Sequence, residues 1–368
     1  MPKYIYEHKN WTDFSWDDKA INSVFGEVKL KQGRIIGQMN ALGFSNKEDA
    51  TLNALTLDVV KSSEIEGEIL NYEQVRSSIA RRLGINTAGL VSSSRHIEGI
   101  VEMMLDATQR YYLPLTEDRL LGWHAALFPA GYSGPYKIEV GKYRTGEMQI
   151  VSGAIGREKV HYEAVKSKLV KMEMDKFLDW FNSDSTLDLV LKAAIAHFWF
   201  IIIHPFDDGN GRIARALTDM LLAKSEGSGE RFYSMSSQIL IERKRYYDVL
   251  QSVQHSSKDI SEWLNWFLNC LNKAMLMTED AAQSILHKSV FWKLHENTPI
   301  NERQRLIVNK LFDGFEGKLQ SSKWAKITKV SSDTALRDIK DLIEKGILKQ
   351  TNEKGRNANY ELCAFELK

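Results

Sequence analysis

The sequence predicts a mainly α-helical protein of two or three domains that ends in a helix–turn–helix with a two-stranded wing. Chain breakers are scarce, with 6 prolines and 23 glycines in 368 residues, and both residue types interrupt helices. Apolar groups return at helical spacing, as Leu52, Leu55, Val59 and Val60 do within 50–63. At about 150 residues per domain, the length gives two or three folding units.

Positions 1–110 read as helical segments: 50–63, with Gly67 shortly beyond it, then 72–83 and 96–111 on either side of the polar stretch 86–94. A short amphipathic helix at 120–128 is closed by Pro129, Gly131 and Gly134. The clearest non-helical stretch is 141–156, where Met148, Ile150, Gly153 and Gly156 predict a hairpin. Helix returns over 165–181 and 188–200. From Asn301 the texture changes to helices at 302–312 and 321–327, a turn at 328–331, and a third helix at 332–345 stopped by Gly346. Strands at 347–350 and 359–362 around the polar tip 353–357 complete a winged-helix pattern.

Composition excludes several classes. The formal charge is +1, from 49 basic and 48 acidic residues, which excludes a strongly basic nucleic-acid coat and an acidic tail protein. Residues 301–368 hold 14 basic and 10 acidic side chains, a local +4 against −3 for the rest. The two cysteines, Cys270 and Cys363, are far apart and form no disulfide scaffold or zinc ribbon. The N-terminus carries no apolar leader, and the most apolar run, 189–203, contains Lys192 and His197 and falls short of the ~20 residues of a membrane span. A cytoplasmic protein is expected, with no membrane partner.

One segment carries chemistry: His204-Pro205-Phe206-Asp207-Asp208-Gly209-Asn210-Gly211-Arg212-Ile213-Ala214-Arg215. Gly209 and Gly211 allow tight backbone and bring N–H groups close to an anion. The strong helix pattern that begins at Ile213 puts this turn at a helix N-terminus, where phosphate is favoured. Arg212 and Arg215, three apart, can clamp a polyphosphate. Asp208 is a hard oxygen ligand suited to Mg²⁺, and His204 is placed to act as a general base. Gly209-x-Gly211-x-x-Ala214 formally matches a dinucleotide fingerprint, but the glycines do not directly follow the apolar run and no strand–helix series surrounds them. No P-loop occurs.

This segment resembles the signature of the Fic family, H-P-F-x-[D/E]-G-N-G-R-x-x-R, at every defined position. The resemblance implies a helical Fic-type core with a β-hairpin flap. It also implies transfer of AMP from ATP to a Ser, Thr or Tyr hydroxyl of a protein. By that resemblance His204 deprotonates the hydroxyl and Asp208 holds Mg²⁺. Gly209, Asn210 and Gly211 cradle the phosphates, and Arg212 and Arg215 neutralise the leaving pyrophosphate. Ser62-Ser63-Glu64-Ile65-Glu66-Gly67 looks like the family's inhibitory motif, in which Glu66 would pair with Arg215 and exclude the ATP γ-phosphate. The hairpin 141–156, with its lead-in Gly141-Lys142-Tyr143-Arg144, falls where the family has the flap that docks a target segment. Gln238-Ile239-Leu240 and Arg245-Tyr246-Tyr247 resemble the nucleotide-pocket segment, with Tyr246 against adenine or near it.

The layout expected is an N-terminal helical region over 1–110, a Fic core over 111–295 and a winged helix over 296–368. A protein target, self-modification and a homodimer are the partners the resemblance implies. Alternatives stay open: removal of AMP with Glu66 activating water, transfer from another nucleotide, or a regulator binding DNA through 301–368. For the last, Arg337 and Lys340 on the recognition helix are offset by Asp333, Asp338 and Asp341, leaving Lys354 and Arg356 on the wing.

Overall fold

Helix dominates from end to end, as the scarcity of breakers predicts. The computed structural model describes residues 2–41, 44–85, 89–152, 159–184, 186–312, 315, 317–351 and 358–364. An aromatic N-terminal segment with one 3-10 turn leads into α1 (Asp18–Ala41), α2 (Phe44–Ile65), α3 (Tyr72–Leu83), α4 (Arg95–Gln109) and α5 (Glu117–Leu127). Two antiparallel hairpins follow, β1 (Tyr132–Ser133) with β2 (Tyr136–Lys137) and β3 (Gln149–Ser152) with β4 (Lys159–Glu163). Then come α6 (Val170–Asn182), α7 (Leu189–Ile203), α8 (Asn210–Glu226), α9 (Met235–Ile241), α10 (Arg243–Gln254) and the long α11 (Ser261–Leu294). The remainder is α12 (Glu302–Phe312), α13 (Ser321–Thr328), α14 (Ser332–Glu344), β5 (Leu348–Gln350) and β6 (Tyr360–Leu362). The chain divides into two units, Met1–Thr278 and Glu279–Lys368.

The first unit is organised around α7. Every residue from Val190 to Ile203 is buried, and a helix apolar on all faces belongs at the centre of a bundle. Asp188 caps it by accepting from the Val190 amide, and the Lys192 amine donates to the Ser183 carbonyl. Trp199 sits in an edge-on aromatic cluster with Trp11, Phe14 and Phe177. The N-terminal segment therefore belongs to the same core as α7. Because 198–203 is the last turn and a half of this helix, the dinucleotide fingerprint has no leading strand.

The flap hairpin lies later than the sequence suggested. Its strands are β3 and β4, and 141–148 forms the extended lead-in. Gly141, in a left-handed conformation (φ 65°), turns that lead-in, while the paired residues Val160 and Tyr162 are strong strand formers. Gly153 and Gly156 lie outside the described residues. Helix α6 starts at Val170 after a 3-10 turn at Ser167–Leu169, five residues beyond the expected start.

In the second unit, α12, α13, α14, β5 and β6 follow in the order the sequence predicts. Phe291, Ile307, Val308, Trp324, Ile339 and Leu342 form its own core. Lys329 ends α13 in a left-handed conformation, and the Ser331 hydroxyl caps α14 by accepting from the Thr334 amide. Strands β5 and β6 pair Leu348 with Leu362 and Gln350 with Tyr360. The wing tip, with Lys354 and Arg356, lies outside the described residues. Among the described residues no helix is long and apolar enough to cross a membrane.

Candidate active site

The site is the loop between α7 and α8. Helix α7 stops where His204 takes a left-handed conformation (φ 51°), and α8 begins after Gly209, also left-handed (φ 84°). Two reversals within six residues bring the histidine beside the N-terminus of α8, whose first amides have no helical partner. The loop is closed from inside by Asn210. Its side-chain oxygen accepts from the Phe206 amide at 3.0 Å and its nitrogen donates to the Phe206 carbonyl at 2.8 Å. Both polar atoms of the Asn210 side chain thus shape the cradle. Phe206 is fully buried and stacks face to face on His124, ring centroids 4.2 Å apart.

His204 is partly buried at the rim of this loop. Its Nδ1 lies 3.3 Å from the Ile201 carbonyl. A proton on Nδ1 makes that bond and leaves Nε2 with a free lone pair. Burial, with a smaller push from the Arg144 charge, lowers its pKa to about 4, so the ring is neutral at physiological pH, the form a base needs. Asp208 accepts from the Gly209 amide and from the Ser133 hydroxyl, and one oxygen lies 3.6 Å from Arg212. Asp207 holds the flap lead-in by accepting from the Glu139 amide.

Opposite the histidine, the turn after α2 reaches into the cradle. Gly67 (φ 87°) reverses the chain so that Glu66 and Glu68 face the same helix end. Glu66 bonds Arg215 at 2.7 Å, and Ser62 accepts from the same guanidinium through its hydroxyl (2.8 Å) and carbonyl (2.9 Å). A Cβ at Gly211 would overlap the Glu66 carboxylate, so only glycine admits this anion over the first turn of α8. Glu68 bonds Arg212 at 2.9 Å and also His96 on α4. His96, then Arg212, hold the Glu68 carboxyl below its usual range. Behind this, α2 is anchored by Asp58, which accepts from Ser234 and the Ser236 amide, and Arg231 pairs with Asp219 of α8 at 2.9 Å. Burial and the nearby Asp58 charge push Asp219 up to about 8.

Tyr246 lies under the arginine. Its hydroxyl is 2.9 Å from His197 Nε2, whose Nδ1 is 2.9 Å from the Thr218 hydroxyl, which donates to the Ala214 carbonyl. The ring is 2% exposed and packs on Trp263 and Trp266, while its neighbour Tyr247 is the one turned outward. Gln238 and Ile239 are buried.

The structure thus brings together Glu66, His204, Asp208, Gly209, Asn210, Gly211, Arg212 and Arg215, and sets Tyr246 one layer behind them. Sequence reasoning missed Glu68, His96 and Ser133. The signal for Glu68 was present: two carboxylates flank Gly67, and two arginines stand three residues apart on α8. His96 and Ser133 have no such signal, because they come from separate segments.

Residues 114–222 match the Fic/DOC family, and residues 4–85 match a domain of unknown function, DUF4172. The chain is 29% identical over 181 residues to the protein adenylyltransferase fic-1 of Caenorhabditis elegans, covering 46% of this chain and 32% of that protein. It is 27% identical over 235 residues to the protein adenylyltransferase Fic of Drosophila willistoni, covering 62% of this chain and 43% of the relative. The chain therefore spans well under half the length of these relatives. The fold is shared with a Fic family protein from Desulfovibrio desulfuricans G20, with a TM-score of 0.53 at 20% identity over 95% of this chain and 97% of the other.

Proposed function

We propose that this chain, a Fic/DOC-family protein through residues 114–222, transfers AMP from ATP to a side-chain hydroxyl of a protein and restrains itself with Glu66. One observation carries the reading: the Glu66 carboxylate sits over Gly211 at the start of α8, bonded to Arg215. A helix N-terminus and a buried guanidinium that hold one anion are suited to phosphate. That the nematode and fly relatives are protein adenylyltransferases supports AMP as the group transferred.

In the reaction, His204 Nε2 takes the proton of the target hydroxyl as that oxygen bonds the α-phosphorus. The bond from the α-phosphorus to the oxygen bridging to the β-phosphate breaks, and pyrophosphate leaves. The first amides of α8 bind the phosphates, and Arg212 and Arg215 take up the charge on the leaving group. Asp208 would hold Mg²⁺. Its carboxylate is 39% exposed, and among the described residues no cluster of three or more ligating side chains forms. A lone carboxylate fits an ion that keeps waters and phosphate oxygens as its other ligands. Bound there, the ion would neutralise phosphate charge. The β3–β4 hairpin is the surface for the target segment, by strand addition.

The C-terminal element order supports a winged-helix module. There α14 turns Asp338 onto Arg303 and Lys349 of β5 pairs with Glu361, a mixed face better suited to a protein partner than to DNA. The free thiols Cys270 and Cys363 support a reducing compartment, the cytoplasm.

The test is labelling with ATP carrying a tagged α-phosphate. Glu66→Gly protein is expected to label itself or an added protein more than wild type does. Adding His204→Ala is expected to cut that signal by about 10²–10⁴-fold. No label with either wild type or Glu66→Gly overturns the reading.

A further inference from the structure

Among the described residues, one buried cation beside the site has no carboxylate as a hydrogen-bond partner. Arg144, 2% exposed, lies in the lead-in to β3. Its Nε donates to the His204 carbonyl at 2.7 Å and its Nη1 to the Gly146 carbonyl at 2.8 Å. Its Nη2 donates to the Val165 carbonyl and, at 3.4 Å, to the Ile203 carbonyl, and its own amide donates to the Pro205 carbonyl at 2.9 Å. Gly146 precedes β3 and Val165 follows β4, so one guanidinium holds both roots of the hairpin and the peptides on either side of the catalytic imidazole. Tyr162 of β4 adds a bond from its hydroxyl to the Ile202 carbonyl.

These bonds fall where the backbone needs them. A left-handed conformation is strained for a non-glycine residue, and His204 keeps it because donors from the hairpin and its lead-in fix the carbonyls of residues 202 to 205. The C-terminal end of α7 carries the negative pole of its dipole, and together with the nearby Glu147 and Asp207 charges it favours the charged guanidinium. Lysine could not replace it, because an ammonium lacks the planar fork that reaches four carbonyls in separate directions.

We propose that Arg144 is a positioning residue that couples the β3–β4 hairpin to His204, so that the hairpin's arrangement sets the placement of the base. This rests on reading His204 as the base. A segment added to the hairpin would act on Gly146 and Val165, and the guanidinium would carry that constraint to the His204 peptide.

The experiment uses the full chain with Glu66→Gly, with and without Arg144→Lys, and follows self-labelling from α-phosphate-tagged ATP. Displacing a base by a fraction of an ångström to 1 Å costs about tenfold to hundredfold in rate. The expected result is that loss in maximal rate, with the half-saturating ATP concentration changed less than twofold. The His204 ring ¹⁵N signals shift while those of His197 do not, and amide exchange across Gln149–Ser152 quickens. Tyr162→Phe, a milder cut through the same connection, gives the same pattern to a smaller degree and serves if Arg144→Lys does not fold. An unchanged rate in a folded Arg144→Lys protein overturns the proposal, as does a fall in ATP affinity matching the fall in rate. If Glu66→Gly itself does not label, the transfer reading fails, and the His204 signals and hairpin exchange still decide the coupling.

Discussion

The two flanks of the α8 N-terminus are held by different forces. On the His204 side the contacts are backbone carbonyls bonded to the buried donors Arg144 and Tyr162, with Phe206 stacked on His124 beneath. On the opposite side, Glu66 and Glu68 are 29% and 32% exposed and reach in as side chains, each bonded to one arginine. A carboxylate on a surface turn exchanges with a competing anion by rotating its side chain, whereas the His204 peptide moves only together with the buried donors that hold it. On the proposed reading the base is held by buried bonds and the competitor is replaceable, the division that gating by an anion needs.

Breaking the fixed flank should cost most. Phe206→Ala removes a fully buried ring and is expected to lower stability by about 3–5 kcal/mol, read by urea unfolding. A loss under 1 kcal/mol would show that this flank is not rigidly packed. On the exchangeable flank, Glu66→Gly removes a charge-assisted bond worth about 1.5–3 kcal/mol. ATP should then bind about tenfold to hundredfold more tightly by calorimetry, while the melting temperature falls because Arg215 loses its counter-charge. Opposite signs in affinity and stability are the signature of a replaceable competitor, and a fall in both would contradict it.

Titration separates the flanks further. Burial lowers His124 to about 4 and His197 to about 3, from the ordinary histidine value of 6.5. Unfolding therefore takes up a proton at each site below about pH 6.5, and the stability these sites contribute is complete above that pH. It is lost as pH falls towards 4, by about 1.4 kcal/mol per pH unit for each histidine. His124→Asn should flatten the stability-versus-pH slope between pH 6 and 4.5 by about that amount, and an unchanged slope would mean His124 is protonated in the folded state. The smallest effect belongs to Glu68→Gln. Its pair with Arg212 is partly exposed and screened, worth about 0–1 kcal/mol, so ATP affinity should rise no more than about fivefold. That gain should shrink further in high salt, and a larger gain would place Glu68 on a par with Glu66.

Much of the frame is legible in the sequence. Helix α3 begins and ends where Asn71 and Gly84 cap it, and local capping chemistry is written in adjacent residues. The bounds of α14 follow from the same local chemistry, with Ser331 starting the helix and Gly346 turning the chain after it. The flap lies later than 141–156 because glycines mark turns without saying which turn joins paired strands. The resemblance puts Tyr246 against adenine or near it, and in the fold its hydroxyl bonds His197, 49 residues earlier. Only packing creates that contact.

The residues from His204 to Arg215 determined by themselves that an anion would sit at the head of α8, because glycines, arginines and a helix start are neighbours along the chain. Which anion occupies that place was decided by tertiary structure. It carries the turn at Gly67 across to α8, puts Glu66 over Gly211, and sets Glu68 between Arg212 and His96. Those partners are separated by up to about 150 positions (149 between Glu66 and Arg215, 144 between Glu68 and Arg212). No local pattern encodes distance through space, so the lock could be named from sequence only by resemblance and given its partners only by the fold.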